Sequence, residues 1–247
     1  MEIISKYFCV DIETRHAPEE DILKAQAKIE KGEISSRLKN PEIIEEATMK
    51  VEEAYAKALQ KVRDDSALLN AAPIGCIGLS VDNTKILNYS TFTLTPEERT
   101  KLMKEGIEPF THKDEGEMMD AFVQELDRRS DDWTGMVGFN STRFDFAKIR
   151  LACRRNGVKI PHVLRFENRK HQIDLMWDFI NFYNCEKAHK KFISLKAVCE
   201  EFKIPYRKSL DGAEIPNAIA NGDHYTVAFD CSSDVLETYQ CYRKIHG

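Results

Sequence analysis

The sequence contains no apolar run of about 18 residues, the length at which a segment begins to read as a membrane-spanning helix. Its first residues also lack the basic-then-apolar order of a secretory signal, so the expected location is the cytoplasm, with no membrane partner. Cysteines are present but show no pairing pattern. The seven, at 9, 76, 153, 185, 199, 231 and 241, are odd in number and include no C-x-x-C, which argues against a disulfide framework and a zinc site. They read as reduced and mostly internal. Internal repeats and low-complexity linkers are missing as well. Between His16 and Asn70 the only glycine is Gly32, so that stretch reads as helix rather than as a series of turns.

What is present suits a globular chain. Its 247 residues, 42% of them apolar, are enough to build a sizeable core. The formal charge of -5 seems to disfavour a nucleic-acid partner, but charge is unevenly spread. Residues 141–208 hold sixteen Lys/Arg against seven Asp/Glu, a local +9, leaving -14 elsewhere. One region could therefore face phosphate, although a basic run is more often a solvated face.

Read along the chain, the apolar run Phe8 to Thr14 predicts a first, central strand. A candidate helix spans Pro18–Lys31, and Asn40-Pro41 supplies a cap and first-turn proline for a second helix reaching about Asp65. In it Ile44, Ala47, Val51, Ala54, Tyr55, Ala58, Leu59 and Val62 recur at three- and four-residue steps, the stripe of a helix packed on one side. Residues 17–70 thus read as a helical insertion between two strands. Ile74–Val81 and Ile86–Leu94, joined by a turn at Asp82-Asn83, predict a hairpin. A helix at Glu115–Arg129, a short strand at Gly135–Phe139 and a helix at Phe144–Asn156 closed by Gly157 follow. Gln172–Met176 reads as extended or turn. Ser194 caps a helix over Leu195–Lys203, Ile215–Ala220 forms a short one, and Asp223 or Asn221 opens a long final helix to about Ile245. The order predicts a mixed α/β single domain spanning 1–247.

Two carboxylates interrupt the first strand. Side chains alternate faces, so Asp11 and Glu13 project to the same side, a rigid platform for hard divalent cations, with Ile12 on the opposite face. Taken alone, the pair is equally compatible with solvated acids at a strand end. Three further stretches bear on it: Gly138-Phe139-Asn140-Ser141-Thr142-Arg143-Phe144-Asp145, which brings Asn140 and Asp145 to a sheet end; Asp234 on the final helix; and, more weakly, His171-Gln172-Ile173-Asp174-Leu175.

Asp11-Ile12-Glu13-Thr14, Asn140-x3-Phe144-Asp145 and Asp234-Val235 together resemble the three motifs of the DEDD superfamily of 3'-5' exonucleases, which have a ribonuclease H-like fold. Leu38-Lys39-Asn40-Pro41-Glu42, Ile77-Gly78-Leu79, Asp174-Leu175, Ser194-Leu195-Lys196, Ile204-Pro205 and Asp211-Gly212 are similar to its stand-alone branch related to the proofreading domain of family B DNA polymerases. The resemblance implies a ribonuclease H-like mixed sheet flanked by helices, and two Mg2+ or Mn2+ ions held by Asp11, Glu13, Asp145 and Asp234. Two such ions can activate a water and stabilise the departing 3'-oxygen. It further implies that Ile12 and Thr14 meet the 3'-terminal nucleotide, that Asn140 and Phe144 support the second motif and contact sugar or base, with a packed Phe144 as the alternative, and that the product is a nucleoside monophosphate. Arg143, Lys148, Arg169, Lys170, Lys190 and Lys191 are candidates for phosphate contact.

The sequence departs from the family at one place. Members carry a tyrosine four residues before the last aspartate, or a histidine five before it, and here those positions are Asp230 and Phe229. Asp230 shares a helical face with Asp234, but its side chain is shorter than tyrosine's by several Å. The expectation is a 3'-5' exonuclease on single-stranded nucleic acid, DNA before RNA, attenuated, with Asp230 orienting water. The alternatives are a nucleic-acid-binding protein that has lost catalysis, and an exoribonuclease or oligonucleotide nuclease.

Overall fold

The computed structural model describes residues 7–36, 39–80, 85–131, 134–182 and 192–246. The chain divides into two compact units, residues 1–15 with 74–247, and residues 16–73.

The larger unit is built on a six-stranded sheet. Its strands are β1 (Tyr7–Thr14), β2 (Ile74–Ser80), β3 (Ile86–Ser90), β4 (Ile107–Thr111), β5 (Gly135–Gly138) and β6 (Gln172–Asp174), in the order β4-β3-β2-β1-β5-β6. β2 pairs antiparallel with both β1 and β3, whereas β3 with β4, β1 with β5 and β5 with β6 are parallel, so β2 alone runs against the rest. The predicted hairpin is β2 with β3, in register from Cys76 opposite Ser90 to Ser80 opposite Ile86; its turn lies outside the described residues. β3 stops at Ser90 rather than at Leu94 because its partner begins at Ile74, and Thr91 N–H already reaches the Gly75 carbonyl at 3.0 Å.

Alternation along β1 splits the core into two layers. Phe8, Val10 and Ile12 join Met118, Met119, Phe122, Phe146 and Ile149 on one face, while Cys9 faces Val227, Ala228, Cys231 and Val235 on the other. The first layer rests on α4 (Glu115–Arg129) and α5 (Asp145–Arg155). α4 begins and ends where the periodicity predicts, with Asp114 as its cap accepting the Glu117 N–H at 2.9 Å. Gly157, φ 68°, follows α5 in the left-handed conformation that a closing residue needs.

The second layer is covered by α6 (Leu175–Phe182), α7 (Leu195–Glu201), α8 (Ile215–Asn221) and α9 (His224–His246), with α9 packed across β2 and β1. Three elements absent from the sequence reading are α3 (Pro96–Lys104), β4 and α6, which takes up Leu175 and Met176 where the sequence predicts extended or turn backbone. α3 carries a full capping box in which Thr95 and Glu98 satisfy each other's backbone N–H groups. The six described cysteines, 9, 76, 153, 199, 231 and 241, are free and buried; Cys185 lies outside the described residues.

In the smaller unit α1 (Glu19–Gln26) stops short of Lys31, since Lys28 and Ile29 bond back only three residues, to Ala25 and Gln26. α2 (Pro41–Asp64) is capped by Asn40 as expected. Gln26 donates to the Leu59 carbonyl at 2.8 Å, and Arg63 pairs with Glu19. The predicted stripe is the less exposed side of α2: Ala47, Val51, Tyr55, Ala58, Leu59 and Val62 are half-buried, while Ile44 and Ala54 are exposed. No residue of α2 is fully buried, because the short α1 covers little of a 24-residue helix. Among the described residues no helix is long and apolar enough to cross a membrane.

Candidate metal centre

The site begins with strand geometry. Because Ile12 belongs to one core layer, its neighbours Asp11 and Glu13 point to the other face, where α9 lies. Glycine lets α9 come close: a Cβ on Gly78, which pairs with Asp11, would sit 2.8 Å from Val235 Cγ2 and 3.2 Å from the Cys231 carbonyl. Asp234 therefore reaches the strand acids. One oxygen from each of Asp11, Glu13 and Asp234 lies within 4.8 Å of the others.

A cation not foreseen from the sequence sits among them. Lys208 Nζ donates to Glu13 Oε1 at 2.9 Å and to Asp234 Oδ2 at 2.7 Å. Asp11 Oδ2 and Asp234 Oδ1 are buried and meet no hydrogen-bond donor among the described residues. Two buried carboxylate oxygens without a partner are costly, and in a set of donors that is entirely carboxylate they fit Mg2+ or Mn2+.

Asp145 stands beside this trio rather than within it. It is the first residue of α5, 4% exposed, and its carboxylate is held by the N–H groups of Ile12 and of Asp145 itself. The loop before it is locked by Asp174, which accepts Asn140 N–H at 2.9 Å, Thr142 N–H at 3.0 Å and the Thr142 hydroxyl at 2.7 Å. Asn140 takes φ 57°, a left-handed conformation that asparagine tolerates. Asp174, the weakest sequence candidate, is thus the residue that positions the second motif.

The charges are strongly coupled. Burial, then the charges of Asp234, Glu13 and Asp145, push Asp11 well above the usual carboxylate range. Burial also raises Glu13 and Asp234, with Lys208 opposing in both cases. Asp145 is pushed up to about 8 by burial and then by Glu13. Burial works against a charged Lys208, but Glu13, Asp234 and Asp11 outweigh it and hold the ammonium protonated.

Asp230, at the position where the resemblance to the exonuclease motifs leads one to expect a tyrosine, is fully enclosed, 0% exposed. Its carboxylate accepts the Leu210 N–H at 2.8 Å and the Ser209 N–H and hydroxyl at 3.1 and 3.2 Å. Those bonds tie it to the segment that carries Lys208 and leave it buried rather than presented to solvent.

The remaining candidates are scattered in role. Ile12 and Thr14 are buried, and Phe144 is half-buried against the Phe8 layer, 5.6 Å from Lys148 Nζ. Arg143 is exposed, with its guanidinium 4.9 Å from the Trp177 ring. Of the basic residues, Arg169 and Lys170 are exposed, whereas Lys148 is 4% exposed and is no surface phosphate contact. Lys190 and Lys191 lie outside the described residues.

Residues 82–246 match a family described as a predicted 3'-5' exonuclease related to the exonuclease domain of PolB. The chain belongs to this exonuclease family. The matched stretch includes Asp145, Lys208, Asp230 and Asp234; Asp11 and Glu13 precede it, on the strand β1 that pairs with β5 of the matched stretch. In fold the chain is similar to the family B DNA polymerase of the hyperthermophilic archaeon Pyrobaculum calidifontis, with a TM-score of 0.55 and 13% identity over 96% of this chain. The likeness establishes the ribonuclease H-like fold. The chain spans 24% of that polymerase. A search of curated proteins gave no match.

Proposed function

We propose that this member of the exonuclease family hydrolyses phosphodiester bonds from the 3' end of single-stranded nucleic acid, DNA before RNA, with two Mg2+ or Mn2+ ions. The observation that carries the reading is the convergence of Asp11, Glu13 and Asp234, two of whose buried oxygens meet no donor among the described residues. Bound divalent ions would supply an activated water and a counter-charge for the departing 3'-oxygen.

The protein's own part is to bind and orient. Asp11 and Asp234 offer open oxygens, Glu13 adds a third carboxylate, and Asp145, held by the Ile12 N–H, stands next to Glu13. Thr14 and Asn140 lie in the two segments flanking these acids and are proposed to contact the terminal nucleotide. Ile12 and Phe144 are proposed to support them from the core, and exposed Arg143 to meet phosphate. Residues 1–247 are proposed to act as one exonuclease domain, with 17–70 as an insertion.

A second reading is favoured by Asp230, whose burial leaves no tyrosine or histidine at its usual place beside the acids: a nucleic-acid-binding protein without turnover. Strands of DNA and of RNA labelled at either end, incubated with Mg2+, Mn2+ or EDTA, separate the two. Stepwise shortening from the 3' end with metal, and none with EDTA, is expected. Binding without cleavage under every metal overturns the enzyme reading.

A further inference from the structure

The ammonium of Lys208 covers one side of the acid cluster only. Glu13 Oε1 and Asp234 Oδ2 receive its two bonds, while Asp11 Oδ2 and Asp234 Oδ1 meet no donor among the described residues. Lys208 is not a surface lysine that has folded inward. Its side chain is 12% exposed, and the backbone on both sides of it is fastened to α9. Arg207 N–H donates to Glu237 Oε1 at 2.7 Å, and Ser209 and Leu210 donate to Asp230. Asp230 and Glu237 lie about one turn before and after Asp234 on the same helix. α9 thus grips residues 207, 209 and 210 and turns the intervening Lys208 onto its own Asp234.

We propose that Lys208 is a resident counter-ion that competes with metal for the Glu13 and Asp234 edge of the cluster, so that divalent ions load unequally. The first ion takes the open oxygens of Asp11 and Asp234; a second gains Glu13 only as the ammonium withdraws. This inference rests on the reading of the cluster as a metal site. A divalent ion brought to oxygens already paired with an ammonium meets a like charge in a poorly screened pocket, and the clamp at Asp230 and Glu237 keeps that charge from drifting away. Lys208 acts here on the ligands and is a positioning residue.

Calorimetric titration with Mn2+ tests the idea on the wild type, Lys208→Met and Lys208→Arg. The wild type is expected to bind a second ion at least about tenfold more weakly than the first, and Lys208→Met to recover most of that difference, whereas Lys208→Arg keeps it. Second-ion affinity within about twofold of wild type in Lys208→Met overturns the inference and leaves the metal site standing. Absence of Mn2+ binding to all three proteins overturns both. Should Lys208→Met fail to fold, an amine-acylating reagent read by mass spectrometry decides on the wild type. Lys208 should be protected without metal and labelled at saturating Mn2+; equal protection in both states overturns the inference.

Discussion

Asp230 Oδ2 accepts the backbone N–H of Leu210 at 2.8 Å, from a helix position that in related exonucleases is expected to carry a tyrosine. The carboxylate has three donors, two of them backbone N–H groups, and no exposure. Asp230→Ala leaves those donors buried without an acceptor and is expected to cost roughly 2–4 kcal/mol of stability, read by denaturant unfolding. Asp230→Asn, which keeps one acceptor oxygen, should cost less. Restoring the family residue with Asp230→Tyr should not raise turnover, because the ring has no room and the 207–210 segment loses its anchor. A gain in 3'-end cleavage by Asp230→Tyr would show that the position serves chemistry after all.

Asp11→Asn and Asp234→Asn should have opposite effects on stability and on activity. Each removes one charge from a crowded set, so the melting temperature in EDTA is expected to rise or hold. Each also removes a ligand oxygen, so the stabilisation by Mn2+ should shrink and cleavage should fall by more than about 100-fold, the upper end for residues that merely support a ligand. Thermal scans with and without Mn2+ beside an end-labelled cleavage assay read both. A variant that loses activity while keeping its full Mn2+ stabilisation would take that residue out of the metal site.

The acid cluster also sets the pH response. Burial and then Glu13 hold Asp145 up at about 8, and burial holds Glu237 up at about 7, both far above their unfolded values. A carboxyl raised in this way binds more protons folded than unfolded, so its contribution is complete below about pH 4 and is lost as pH rises through 7 to 8. In EDTA the melting temperature should therefore fall between about pH 5 and 8, and Glu237→Gln should flatten the part near neutrality. Saturating Mn2+ should remove most of the slope that the cluster acids contribute. A melting temperature in EDTA that rises over this range would contradict the shifts.

Which of these features could be read from the sequence follows from how local their signals are. β1 announces itself as an apolar run, α4 by its periodic apolar face and α9 by its capping residues, and Asp11 and Glu13 share a face because strands alternate. α3 carried its own signal in Thr95-Pro96-Glu97-Glu98, whereas β4 is five residues long and interrupted by Pro109, too short for alternation to show. Lys208 had no such signal. Its partners lie 195 and 26 residues away, in a strand and a helix, and the connection exists only once Ser209 and Leu210 are fastened to Asp230. For Asp230 the sequence indicates the helical face but not what that face meets, and the burial that changes its role comes from a loop without periodic pattern.

Gly78 is where fold and site are most tightly joined. It pairs with Asp11 across β1 and β2, and an added Cβ would stand 2.8 Å from Val235 Cγ2 and 3.2 Å from the Cys231 carbonyl, both on the helix that carries Asp234. Gly78→Ala is therefore expected to push α9 outward, costing roughly 1–3 kcal/mol by overpacking. The same displacement draws Asp234 away from Asp11, so Mn2+ stabilisation should weaken although no ligand has changed. The closer of the two contacts belongs to a side chain, so adding Val235→Ala should recover part of both losses, and a double-mutant cycle measures that coupling. Additive effects on stability and metal response would mean that Val235 does not set the approach of α9, and that Gly78 acts through the Cys231 backbone alone.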